Sequence, residues 1–211
     1  MDWAGLLKTT LTLFAVVDPV GTIPFFLVAT RSLSTAQARR AAAIAALTVW
    51  AVLAAAALLG EHALRFFEIR IESFSVAGGL LLLILSLSML QAHTSPLRQT
   101  PDEAVEAEER EAVGAVPLGV PLLAGPGAIT QVIVAAGAHP GSPLDQAALI
   151  LPITLVSLAV WLCFQGAPYI AHRLGRTGIH IVTRLMGLII AALSVEMIAR
   201  GLARLFPGWV A

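Results

Sequence analysis

Six apolar stretches, most of them about 20 residues long, run through this chain and leave it few ways to fold. A backbone in hydrocarbon must satisfy its own N–H and C=O groups, so runs of this kind read as membrane-crossing helices. They fall at roughly 4–30, 41–60, 73–93, 114–138, 146–168 and 182–203. Composition agrees, with 58% hydrophobic and 12% charged residues, where soluble domains run near about 25% charged. The expectation is an all-α, polytopic membrane protein with six transmembrane helices, forming one membrane domain over residues 1–211.

The stretch that departs most from membrane character is Thr94 to Gly114, "TSPLRQTPDEAVEAEEREAVG". It is acidic, contains prolines and reads as a surface loop dividing the chain, with one half at about 1–93 and the other at about 115–211. Lys8 precedes the first apolar stretch, but Asp18-Pro19 interrupts that stretch and no small-residue cleavage site follows, so it reads as a retained span. Lys and Arg set the orientation. Arg31, Arg39, Arg40, Arg98, Arg110, Arg173, Arg176 and Arg184 fall on one side, and Lys8, Arg65, Arg70, Arg200 and Arg204 on the other. The richer side is expected in the cytoplasm of a bacterial inner membrane, with both termini outside.

Formal net charge is zero, which gives no basic face for nucleic acid. The single cysteine, Cys163, excludes an intramolecular disulfide and a cysteine metal cluster. His62, His93, His139, His172 and His180 sit at span ends or in loops without an HExxH-like neighbour, so neither a metal nor a cofactor is expected.

The two halves share a register. At an offset of 108 residues, Gly79 to Met89, "GLLLLILSLSM", meets Gly187 to Met197, "GLIIAALSVEM". The same offset pairs Ala63 with Ala171, Arg65 with Arg173 and Ile71 with Ile179, and a shift of one pairs Pro19 with Pro126. Three spans per half is an odd number, so the second unit must enter from the opposite face. That predicts two inverted three-helix repeats, each with a broken first helix. Such repeats occur in secondary transporters, where paired breaks mark a site near the midplane.

The first break is "DPVGT", Asp18 to Thr22, followed by Pro24; the second is Gly125-Pro126-Gly127. Proline removes an N–H and frees carbonyls, a situation that survives in a bilayer only inside protein or beside a polar cavity. Asp18-Pro19 also reads as an N-cap followed by the first helical residue. Asp18 is either a structural cap or a binder of a cation, an ammonium or a proton. A charged Asp at mid-membrane costs roughly 2.5–3.5 kcal/mol on insertion scales, which favours a role for it. Gly125, Pro126 and Gly127 offer N–H groups and a positive helix end suited to a carboxylate. Gly21 belongs to the same first break. Thr22 and Thr130 either meet a ligand or satisfy freed carbonyls, and Gln131 is a further polar candidate. Gly79, Ser86, Gly187, Ala191 and Ser194 put small residues on common helical faces, as close packing requires. Glu196 stands where the first half has Ser88, either at the interface or in a polar pathway.

"DPVGTIPFF", "VPLLAGPGAIT" and "TGIHIVTRLMGLIIAALSVEMI" resemble the signature segments of the MarC family of bacterial integral membrane proteins. The resemblance implies transport of small neutral amino acids such as glycine and alanine, driven by a cation gradient. Asp18, Pro19, Gly21, Pro24, Gly125, Pro126 and Gly127 match the family pattern. Thr22 departs from its usual amide, and Glu196 from its common Gln. The expected partners are a small zwitterionic solute and the lipid bilayer. The readings from other classes are a membrane-embedded enzyme on lipid-linked substrates and a non-transporting assembly or stress factor. Against the enzyme, the spans hold no paired-carboxylate, Ser-His or HExxH arrangement.

Overall fold

The computed structural model describes residues 3–91, 123–137 and 149–209, and the acidic stretch at 94–114 lies outside them. Among the described residues the chain is helical, without strands. The helices are α1 (Trp3–Val17), α2 (Ile23–Ala29), α3 (Thr35–Phe66), α4 (Ile71–Leu90), α5 (Pro126–Gly137), α6 (Ile150–Gln165) and α7 (Ala167–Leu205), with a short 3-10 turn at Pro207–Trp209.

Local chemistry sets the ends of α3. Ser34 and Gln37 form a capping box: the Gln37 amide donates to Ser34 Oγ at 3.3 Å and the Ser34 amide to Gln37 Oε1 at 2.9 Å. At the other end, Glu68 takes a left-handed conformation with φ 55°. The Glu68 amide then donates to the Arg65 carbonyl at 3.0 Å and the Ile69 amide to the Leu64 carbonyl at 2.8 Å. This Schellman arrangement satisfies the last carbonyls and turns the chain into α4.

The 32 residues of α3 reach about 48 Å at 1.5 Å per residue, more than a hydrocarbon core of about 30 Å. α3, α4 and Thr177–Leu205 of α7 are each long and apolar enough to cross a membrane. A fourth crossing is made if α6 and Ala167–Gly175, bent by 73°, are one span. Six crossings, with a broken first helix in each half, were expected, and three or four candidate spans are found among the described residues. α1 stops at the first break, and the described part of the fourth expected span holds α5, 12 residues long and about 18 Å in extent, with 92–122 and 138–148 outside the described residues. Expected boundaries shift as well. Helix continues from Ala167 to Leu205, across the gap expected between 168 and 182, with one kink at Gly175 where φ is 62°.

Packing follows the small residues. A side chain at Gly79 would meet the Ser194 carbonyl at 3.1 Å and the Ile198 amide at 3.3 Å. One at Gly187 would meet the Ser86 carbonyl at 3.2 Å and the Leu90 amide at 3.4 Å. α4 and α7 therefore touch nearly backbone to backbone, as small residues permit without a hydrophobic drive between helices. Ser86 and Ser194 turn their hydroxyls to their own helices, donating to the Leu83 and Ile190 carbonyls. α3 packs on α6, α5 on both α3 and α4, and α1 on α5, α6 and α7. Leu59 and Leu188 remain 64% and 61% exposed, as suits side chains facing lipid.

Candidate functional site

The first break is tightly built. α1 ends where the Asp18 amide donates to the Phe14 carbonyl at 2.9 Å, and Asp18 then turns left-handed at φ 48°. The residue is 1% exposed. Its Oδ1 accepts the Gly21 amide at 3.1 Å, so the carboxylate does cap a backbone donor. It is not, however, the N-cap of a helix starting at Pro19. Residues 19–22 form turns, α2 begins at Ile23 with Thr22 before it, and Pro24 occupies its first turn. The Thr22 amide donates to the Asp18 carbonyl at 3.2 Å, closing a single turn over residues 19–22, and Pro24 stands in the first turn of α2 in place of the role expected for Pro19.

Thr22 is fully buried, and its hydroxyl donates to the carbonyls of Asp18 at 3.2 Å and Pro19 at 3.0 Å. Gly21 is required by sterics, since a Cβ there would run into the Asp18 carboxylate and lie 2.6 Å from Thr183 Oγ1. Thr183, on α7, is thereby a neighbour of the break that the sequence reading missed. Only its identity as a hydroxyl opposite Ser75 at the 108-residue offset offered a signal. Stacking of Phe26 on Phe164, with centroids 4.3 Å apart, holds α2 against the end of α6.

The second break has no acid. The Ile129 amide donates to the Gly125 carbonyl at 3.1 Å, so α5 starts with Pro126 as its first residue, where the missing N–H costs nothing. A Cβ on Gly127 would meet Leu82 Cδ2 at 2.7 Å and Val16 Cγ1 at 3.5 Å. Val16 lies two residues before Asp18, so the start of α5 packs beside the end of α1, with Gly127 buried and Pro126 exposed. Thr130 is buried, with its methyl packed on Gly78.

Gln131 points elsewhere. It lines a cavity of about 210 Å³ formed by the ends of α1, α4, α5 and α7. Of the eight residues expected at the site, Gln131 alone is in its lining, beside Thr12, Ser75 and Glu196. Glu196 is half-exposed at its rim and accepts from Arg200 Nε at 2.7 Å. Among the described residues no group of His, Cys, Asp and Glu is placed to hold a metal ion.

Apolar helices of membrane-crossing length, with a buried acid at a helix break, define an integral membrane protein. The model of the MarC family of integral membrane proteins matches residues 3–206, and the chain belongs to that family. It is 39% identical over 208 residues to the UPF0056 membrane protein YhcE of Escherichia coli, covering 98% of this chain and 96% of that one. It is 36% identical over 207 residues to BU267 of Buchnera aphidicola, with 98% and 96% covered. The likeness extends to Bacillus subtilis YvbG, 33% identical over 208 residues and 98% of both chains. No solved structure matches the chain.

Proposed function

We propose that this protein is a secondary transporter that moves a small zwitterionic solute of the glycine or alanine class across the bacterial inner membrane, coupled to a proton or another cation. The observation that carries the reading is the meeting of two interrupted helices in the core, one bearing the buried Asp18. A buried acid in a bilayer is costly and marks ion or substrate pathways. Interrupted helices at matching positions of two halves are the usual frame for such a site.

In this reading the chain makes six crossings as two inverted halves, with both termini outside. Exchanging α1–α2 with α5, α3 with α6, and α4 with α7 turns each major helix contact into another that is present. The Gly79–Ser194 and Gly187–Ser86 contacts exchange in the same way. The start of α5, at Gly125, Pro126 and Gly127, holds the solute carboxylate. Asp18, with Gly21 and Thr183 beside it, holds the ammonium, or the coupling proton when empty. Thr22 keeps the break in shape through its two carbonyl contacts. Thr130 fixes α5 against Gly78, and Gln131 faces the approach to the site.

The test is uptake of labelled glycine and alanine by purified protein in liposomes under an imposed pH gradient. Asp18→Asn keeps an oxygen for the Gly21 amide and removes the charge. Uptake should fall about tenfold to a hundredfold, the loss of one charge-assisted hydrogen bond, while the protein stays folded. Wild-type liposomes that accumulate neither solute would end the proposal. Release of a chemically altered product would point to an enzyme instead.

A further inference from the structure

The cavity at the ends of α1, α4, α5 and α7 stands apart from both breaks, and its lining is unusual for a membrane protein. Lys8, Arg200 and Arg204 share its rim with Glu72 and Glu196, from three different helices. Long charged side chains at helix ends commonly snorkel outward to water. Here Lys8, Glu196, Arg200 and Arg204 are themselves exposed around the mouth of one hollow, and the Glu72 side chain, 22% exposed, sits deeper. Beneath them lie Thr12, Ser75 and Gln131 among apolar residues such as Leu193 and Met197.

These charges are not equally committed. Arg200 is tied to Glu196 at 2.7 Å. Glu72 meets Arg70 only at 3.6 Å, on the turn before α4. Among the described residues no carboxylate lies within ion-pairing distance of Lys8 or Arg204. The hollow therefore presents two cations and one loosely held anion over a floor of mixed polar and apolar side chains. Its volume of about 210 Å³ is below the roughly 300–1,000 Å³ typical of drug-sized clefts. A small solute with one negative and one positive group matches it in size and in charge.

We propose that this cavity is a binding station for a small zwitterionic amino acid, with Lys8 and Arg204 holding the carboxylate and Glu72 the ammonium. The inference rests on the transport reading for its ligand class, but it assigns a second place on the solute's route. Thr12 is six residues before Asp18 and Gln131 five after Pro126, so the floor lies about 8–9 Å from each break along α1 and α5. Solute released from the rim would pass Gln131 on its way to the breaks.

The experiment is equilibrium binding of labelled glycine to purified full-length protein in detergent, with its thermal transition recorded on the same sample. Wild type should bind with a Kd at or below about 1 mM, the upper end of common substrate ranges. Arg204→Gln and Glu72→Gln should each weaken binding about tenfold or more, equivalent to about 1.4 kcal/mol, at an unchanged transition. Arg204→Lys and Glu72→Asp, which keep the charges, should stay within about threefold of wild type. Acetate and methylamine, each carrying half of the zwitterion, should compete more weakly than unlabelled glycine. Absence of glycine binding to wild type overturns the inference, as do neutral variants that bind like wild type. Charge-preserving variants that lose binding as fully as the neutral ones also overturn it. Accumulation in liposomes alongside any of these results leaves the transporter standing and removes only the station. Binding at the cavity without accumulation does the reverse.

Discussion

The two breaks solve one problem with different chemistry. At the first, the chain supplies its own anion: Asp18 turns left-handed, and its carboxylate holds the Gly21 amide inside a buried turn. At the second, Gly125 and Pro126 start α5 directly, with the Gly125 carbonyl accepting the Ile129 amide. One break thus carries an acid and the other a helix start without one, and Val16, two residues before Asp18, lies beside Gly127. In the transport reading proposed above, this difference is what lets the pair take a molecule carrying both charges.

The largest effect that tests this contrast is steric. In Gly21→Ala the new methyl collides with the Asp18 carboxylate and approaches Thr183 Oγ1 to 2.6 Å. The carboxylate cannot yield without disturbing the Asp18–Gly21 bond, so the cost should reach the upper part of the about 1–3 kcal/mol typical of overpacking. Gly127→Ala meets the flexible end of Leu82 and should cost about 1 kcal/mol or less. Thermal melting in detergent compares the two. Equal losses would mean that the first break is no more rigidly built than the second.

A smaller difference is expected from the two threonines. Thr22→Val leaves the Pro19 carbonyl without the hydroxyl that reaches it at 3.0 Å, which should cost about 1–2 kcal/mol for a buried acceptor. Thr130→Val keeps the methyl that packs on Gly78 and should cost less. The same melting series decides it, and the reverse ranking would shift the structural burden to the second break.

Both breaks were legible because proline and glycine in an apolar run have few other uses. That α4 and α7 each pack closely was legible in the spacing of Gly79, Ser86, Gly187 and Ser194, but not that they pack on each other. What resisted was anything set by distant packing. Thr183 reaches the first break across 162 residues of sequence, and no local pattern ties it to Gly21. The cavity gathers side chains from four helix ends, each of which alone looks like an ordinary interfacial residue. The left-handed turn at Asp18 was hidden for a different reason: Asp before Pro is a good N-cap signal, and only packing against α7 reveals which turn the chain takes.

The smallest expected effect isolates backbone strain from carboxylate chemistry. Asp18 and Glu68 are the two non-glycine residues at positive φ among those described, at 48° and 55°. Glu68 is exposed at the end of α3, where glycine is the residue most helices use. Glu68→Gly should therefore relieve strain and gain up to about 1 kcal/mol, offset in part by the greater freedom of glycine in the unfolded chain. That corresponds to a rise of about 2–4 °C for a chain of this size. Asp18→Gly relieves the same strain but removes the acceptor of the Gly21 amide from a buried site, so it should lower the melting temperature instead. Opposite signs would mean that the carboxylate outweighs the strain it imposes, and that the first break is held by the same group proposed to bind the ammonium. Two rises of similar size would show that Asp18 contributes nothing to the turn, and its burial would then have to be explained by ligand or proton binding alone.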